Sequence, residues 1–265
     1  MAAISRGSRK VRELRKLLRK SAYRDELNTF VIEGYGLLEE AIATGNNPID
    51  VFVAENDEAL HIKIAELGID LGNIWHLDPV VLKSIASTQT PQPVLATLPI
   101  KEFKFIDLSV SSPDFLVVGV EISDPGNAGT IIRTAAAAGA SGVVFSQGSV
   151  DLFNPKVVRA SAGAIFRVPV FGSVDMDDLF IDCAREGLVT LGLCGGGERQ
   201  YDRCDFTQPL ALLVGNESRG LTDLAKAKVT EKISIPMKAG VESLNAAAAL
   251  SIVAFEVRRQ RASND

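Results

Sequence analysis

Short apolar runs along the chain alternate with stretches whose apolar residues recur every three or four positions, the pattern of strands followed by helices. Thr29 to Ile32 reads as a strand, and Leu37, Leu38, Ala41 and Ile42 give a helical stripe that Gly45-Asn46-Asn47-Pro48 ends. Asp50 to Ala54 is a second strand, Ala59 to Leu67 and Val80 to Ile85 are helices, and Thr90-Pro91-Gln92-Pro93 turns into the strand Val94 to Leu98. This predicts a small α/β module. Lys101 to Asp107, followed by Ser109, Ser111, Ser112 and Pro113, reads as a linker, so the expected domains are residues 1–108 and 109–265.

The second half shows the same alternation more cleanly. Phe115 to Glu121 is an almost continuous apolar run, as a strand buried on both faces of a parallel sheet requires. Further strands are expected at Gly142 to Phe145, Arg167 to Val170, Leu188 to Leu193, Ala211 to Val214 and Ile233 to Ile235. Helices are expected at Ala128 to Ala138, Pro155 to Ala160, Met176 to Glu186 and from Ser243 to Arg261. The fold class is therefore α/β, with a mostly parallel sheet in the larger domain.

Composition narrows the chemistry. Hydrophobic residues make up 46% of the 265 and charged residues 23%, the balance of a soluble globular protein. No apolar stretch reads as a membrane span, and the charged start, from Arg6 on, lacks the apolar core of a signal peptide, so a cytoplasmic location is expected. Cys183, Cys194 and Cys204 form no CxxC pair, and neither His61 nor His76 has a second candidate ligand nearby in sequence. Idle or buried thiols and no metal are the expectation. The net charge of −5 excludes a uniformly basic coat, yet Arg6, Arg9, Lys10, Arg12, Arg15, Lys16, Arg19 and Lys20 are opposed only by Glu13. With Leu14, Leu17 and Leu18 between them, these residues predict a basic amphipathic helix, a phosphate-tracking element or a solvated face, with a membrane-surface helix a weaker third reading because no aromatic occupies its apolar side.

Three loops in the second half follow or precede strand ends, where ligands bind in open α/β sheets. In D-P-G-N-A-G-T-I-I-R-T-A-A-A-A-G, residues 124–139, Arg133 points away from the stripe of Ile131, Ala135 and Ala138, and Asn127 can cap the helix or meet a ligand. In L-L-V-G-N-E-S-R-G-L, residues 212–221, Gly215 permits close backbone approach to a ligand beside Glu217. In I-S-I-P-M-K-A-G-V-E-S-L-N-A-A-A-A-L, residues 233–250, Ser243 and Asn245 sit at a helix start. Each loop alone is also explained by ordinary capping and turning. Gly192-Leu193-Cys194-Gly195-Gly196-Gly197 fits no dinucleotide fingerprint, and no phosphate-binding P-loop occurs.

At these residues the chain resembles the SpoU-type (TrmH-type) RNA ribose methyltransferases of the SPOUT superfamily, whose three signature motifs the loops follow in order and spacing. Val158 to Pro169 (VRASAGAIFRVP) resembles a segment of rRNA-directed members, and FVIEGYGLLEEAI from Phe30 and STQTPQPVLAT from Ser87 resemble their L30e-like substrate-binding domain. The resemblance implies a C-terminal trefoil knot, a homodimer, and S-adenosylmethionine as cofactor. It implies cofactor contacts at Leu193, Gly215, Asn216, Gly220, Ile235, Met237 and Leu244, and a catalytic and structural polar set of Asn127, Arg133, Glu217, Ser243 and Asn245. Ala128 and the run Ala246 to Ala249 depart from the family pattern, in packing positions only.

The implied reaction is attack of a ribose 2′-hydroxyl on a sulfonium methyl, on RNA, with rRNA favoured over tRNA by the L30e-like domain. An arginine is a poor general base, because its pKa exceeds about 12. Arg133 is therefore expected to position a phosphate and the hydroxyl, with base duty left open. The alternatives are an RNA-binding assembly factor with a vestigial cofactor pocket and an enzyme methylating a base nitrogen.

Overall fold

The computed structural model describes residues 4–85, 90–101, 103 and 115–262, and these cluster into two compact units. Most of the expected linker, and Ser87 to Gln89 of the STQTPQPVLAT stretch, lie outside the described residues.

The first unit takes Met1–Lys101 with Phe153–Phe166. Its elements are α1 (Arg9–Arg19), α2 (Ser21–Leu27), β1 (Thr29–Glu33), α3 (Tyr35–Ala43), β2 (Asp50–Ala54), α4 (Glu58–Glu66), β3 (Ile74–Leu77), α5 (Pro79–Ile85) and β4 (Val94–Pro99). The strands lie in the order β1-β4-β2-β3, with β4 antiparallel to both neighbours and β3 parallel to β2. Alternation along β1 splits the core in two. Phe30 and Ile32 face Leu38, Ala41, Leu60 and Ile64, while Val31 faces Val11, Leu14, Leu17 and Leu18 of α1. Ser8 caps α1, and its four buried side chains each contribute on the order of 1.5–3 kcal/mol, enough to seat a helix this charged. The leucines of the basic run thus hold the helix to the sheet. Lys10 turns inward to Asp50 at 2.6 Å and lies over Trp75.

The second unit takes Glu102–Leu152 with Arg167–Asp265. From residue 115 the chain forms β5 (Phe115–Gly119), α6 (Pro125–Ala138), β6 (Gly142–Ser146), α7 (Pro155–Ala160), β7 (Val170–Val174), α8 (Met176–Arg185), β8 (Val189–Leu193), β9 (Arg199–Gln200), β10 (Leu210–Val214), α9 (Asp223–Lys228), β11 (Glu231–Ser234) and α10 (Ala246–Ala262). Among these, α7 belongs to the first unit, where Phe153 and Phe166 stack on Phe30 and Val158 is buried. The sheet order is β7-β6-β5-β10-β8-β11-β9, and every pairing is parallel. All residues of β5 and β10 are buried, as their unbroken apolar runs demand. One face packs Leu116, Val118, Ala211 and Leu213 against Leu179 and Cys183 of α8 and Ala225 of α9. On α10, Leu250, Val253, Ala254 and Val257 are buried, and the helix packs on α6 and β10.

Several boundaries differ from the sequence reading. The half-buried strand β3 (Ile-Trp-His-Leu) carries no alternation to reveal it and is held by pairing with β2. The short helices α2 and α9 and the two-residue β9 are likewise set by neighbours rather than by periodicity. The strand expected at Arg167 to Val170 forms at Val170–Val174, and the last helix starts at Ala246 rather than Ser243. His61 and His76, far apart in sequence, meet edge to face with ring centroids 4.9 Å apart. No helix among the described residues is long and apolar enough to cross a membrane.

Candidate active site

Parallel pairing in register brings the carboxyl ends of β8, β10 and β11 to one edge of the sheet. The loops leaving them enclose a cavity of about 200 Å³. Leu193, Gly215, Asn216, Gly220, Ile235, Met237 and Leu244 all line it, as do Glu217 and Ser243. Sequence reasoning missed Cys194, Gly195, Val214, Ser218, Glu242, Ala246 and Ala249 on the same wall. Val214, Ser218, Glu242, Ala246 and Ala249 lie within or beside two of the three loops, and Cys194 and Gly195 follow Leu193 in the Gly-rich stretch 192–197. Cys183 and Cys204 are buried, and burial pushes the Cys183 thiol up to about 12. Cys194 is half-buried on the cavity wall, where burial raises its thiol above the ordinary value.

Gly215 has a reason inside the loop itself, beside the ligand approach its sequence context suggested. A Cβ there would lie 2.1 Å from the carbonyl carbon of Gly220 and 2.2 Å from the nitrogen of Leu221. The loop closes on itself: Asn216 N–H donates to Gly220 C=O at 3.0 Å and Gly220 N–H donates back at 2.9 Å. Gly220 completes the turn at φ +68°, a left-handed conformation that suits glycine. The close approach that excludes a side chain is therefore backbone to backbone. Gly197 behaves alike, since its Cβ would meet the carbonyl carbon of Ile233 at 2.6 Å.

The polar set divides in two. Asp124, not Asn127, caps α6 by accepting from Asn127 N–H at 2.8 Å, which frees the Asn127 side chain. Asn127 Nδ2 donates to Glu217 Oε1 at 3.0 Å, and its Oδ1 accepts from Asn245 Nδ2 at 2.8 Å. Asn245 Oδ1 accepts from the N–H groups of Ala247 and Ala248 and so starts α10. Residues 118 apart are thereby tied together, one from each loop. Glu217 also accepts from Ser123 Oγ at 2.9 Å and from Asp124 N–H at 3.0 Å. Arg133 stands apart: it is exposed on α6, off the cavity wall, with no hydrogen bond or ion pair among the described residues.

Burial raises the Glu217 carboxyl, but hydrogen bonds from Asn127, its own backbone, Asp124 and Ser123 outweigh this and hold it at about 2. A carboxylate depressed on folding adds stability above its ordinary value of 4.5 and loses it as pH falls through about 2. Thermal unfolding of the wild type is expected to lose ground against Glu217→Gln over this window, the two converging near the lower end. Parallel pH curves for the two proteins would exclude this role for the carboxylate.

The chemistry of the lining suits a compact amphipathic cofactor. Leu193, Val214, Ile235 and Leu244 offer apolar contact, and the backbone groups of Met237, Ser243 and Leu244 carry no hydrogen bond among the described residues, leaving donors and acceptors for a ligand. Residues 114–255 match the SpoU rRNA Methylase family. The chain belongs to this family. Residues 8–96 match the MRM3-like substrate binding domain. Among SpoU relatives, the 23S rRNA (guanosine(2553)-2′-O)-methyltransferase RlmP of Bacillus subtilis is 32% identical over 95% of this chain and 96% of its own length. The SpoU methyltransferase AviRb from Streptomyces viridochromogenes, solved with AdoMet, superposes with a TM-score of 0.85 at 26% identity, covering 97% of this chain and all of that one. An AdoMet-bound rRNA methyltransferase from Sinorhizobium meliloti gives 0.84 at 28% identity, with 97% of each chain covered.

Proposed function

We propose that this SpoU-family chain transfers a methyl group from S-adenosylmethionine to a ribose 2′-hydroxyl of ribosomal RNA. The observation that carries this is that all seven expected cofactor residues converge around one cavity at the strand ends. When bound there, S-adenosylmethionine supplies an electrophilic methyl group on a sulfonium. Leu193, Gly215, Asn216, Gly220, Ile235, Met237 and Leu244 hold it, largely through backbone. Asn127, Glu217 and Asn245 are positioning residues: their mutual hydrogen bonds fix the three loops against each other. Ser243, on the cavity wall, and Arg133, free and exposed, are the groups left to meet the RNA, with Arg133 aligning a phosphate and the attacking hydroxyl.

The 8–96 match to a substrate-binding domain and the rRNA-directed relatives support rRNA rather than tRNA, and with it a cytoplasmic site of action. We infer as well that residues 235–245 thread a knot; the insertion of β10 between β5 and β8 and the docking of Asn245 on Asn127 support it. A homodimer is supported by Ile252 and Phe255, which leave apolar surface exposed on α10 at 38% and 48%. Phe255→Glu is expected to convert the dimer to monomer, read by light scattering; a wild-type monomer at assay concentration would refute the inference.

The direct test is transfer of radiolabelled methyl from S-adenosylmethionine to unmodified rRNA and tRNA. Label on rRNA that protects one linkage from alkaline cleavage is the expected result. RNA binding without any label would instead favour an assembly factor with a vestigial pocket.

A further inference from the structure

Glu121 follows β5 and adopts a left-handed backbone, φ +50°, although it is not glycine. Such a residue persists where its surroundings hold it, and such positions gather at functional sites. Three contacts hold this one. Its N–H donates to Ser146 Oγ at 2.8 Å, and Ser146, at the end of β6, is almost fully buried. Its C=O accepts from Asn216 Nδ2 at 2.8 Å. Its carboxylate accepts from Arg219 Nη2 at 2.8 Å. Asn216 in turn accepts through Oδ1 from the N–H groups of Ser218 and Arg219, at 3.0 and 3.2 Å. Asn216, Glu217, Ser218 and Gly220 are one wall of the cavity. Glu121 therefore grips both flanks of that wall from outside the cavity, by its backbone at Asn216 and by its side chain at Arg219.

We propose that Glu121, backed by Ser146, is a positioning residue for cofactor binding, fixing the conformation of loop 216–220. The proposal rests on the reading of this cavity as the cofactor site. Glycine would reach the same φ without strain, so the glutamate trades backbone ease for the Arg219 contact. Arg219 is largely exposed, and exposed ion pairs add little to global stability. The effect of this pair accordingly falls on local order in the loop.

The test is calorimetric binding of S-adenosylmethionine to the full chain and to S146A, E121G and E121Q, with amide hydrogen exchange at Ser218 and Arg219 measured without cofactor. S146A removes the acceptor for the Glu121 N–H, and E121G removes the Arg219 contact and the side chain that restricts residue 121, while keeping the N–H and C=O that meet Ser146 and Asn216. Each is expected to weaken S-adenosylmethionine binding roughly tenfold and to speed exchange at both amides. E121Q keeps the conformation and an acceptor for Arg219, so it should stay within about threefold of wild type. The unfolding temperature of E121G should be unchanged or higher. Wild-type affinity and wild-type exchange in E121G would overturn the proposal, as would losses of affinity that merely follow unfolding temperature across the set. Should S146A fail to fold, E121G decides alone. If the wild-type chain binds no S-adenosylmethionine, the cofactor reading fails, and the exchange rates still decide whether Glu121 orders the loop.

Discussion

Arg133→Ala is expected to lower methyl transfer to RNA by at least about 100-fold, with S-adenosylmethionine affinity and unfolding temperature unchanged. The separation follows from where Arg133 stands. Its side chain is exposed on α6 and contacts no partner among the described residues, so truncation removes no buried area and leaves no group unpaired. It is also absent from the cavity wall, so the cofactor loses nothing. What is lost is a rigid, always-charged fork presented from a helix whose inward face, Ile131, Ile132 and Ala135, is fully buried. Arg133→Lys keeps the charge without the fork and should recover only part of the rate. Single-turnover transfer, with RNA binding measured alongside, checks this. Full turnover in Arg133→Ala would remove Arg133 from the reaction.

The second large effect is at Gly215. Gly215→Ala is expected to abolish measurable S-adenosylmethionine binding and to destabilise the protein by about 1–3 kcal/mol or more, the range of overpacked interior sites. The added methyl would lie within 2.3 Å of three backbone atoms of Gly220 and Leu221, none of which can rotate aside as a side-chain tip would. Relief requires opening the paired hydrogen bonds between Asn216 and Gly220, and Asn216, Glu217 and Ser218 on the cavity wall then move. Thermal unfolding and calorimetric titration test both halves. A variant that melts and binds like the wild type would show that the loop is not closed in solution as it is here. Gly195→Ala, on the same wall but with open space around its Cα, is the control expected to fold normally.

Much of the architecture was legible because burial on both sheet faces writes itself into the sequence. Phe115 to Gly119 and Leu210 to Val214 are unbroken apolar runs, and both became central parallel strands. Arg133 was correctly expected on the outer face of its helix, since helical period alone decides that. Where period was weak, the reading slipped. β3 mixes Trp and His with aliphatics, and the segment Phe153–Phe166 lies in the middle of the catalytic sequence yet packs with the first unit. No local signal announces either, because both depend on a partner distant in the chain.

The sequence by itself determined the α/β class, the three loops at strand ends and the residue types they carry, because periodicity and turn chemistry are local properties. It left each of those loops explicable as a simple cap or turn. Only the tertiary structure decided which capped and which reached further: Asp124 takes the helix cap and releases Asn127 to bridge Glu217 and Asn245, 90 and 118 residues away. It also decided that the backbone of Gly220 alone already excludes a side chain at Gly215, and that Ser146 and Glu121 stand behind the cavity wall. The physical reason is common to all of these. A hydrogen bond or a close backbone approach depends on positions in space, and parallel strands brought into register from distant parts of the chain set those positions.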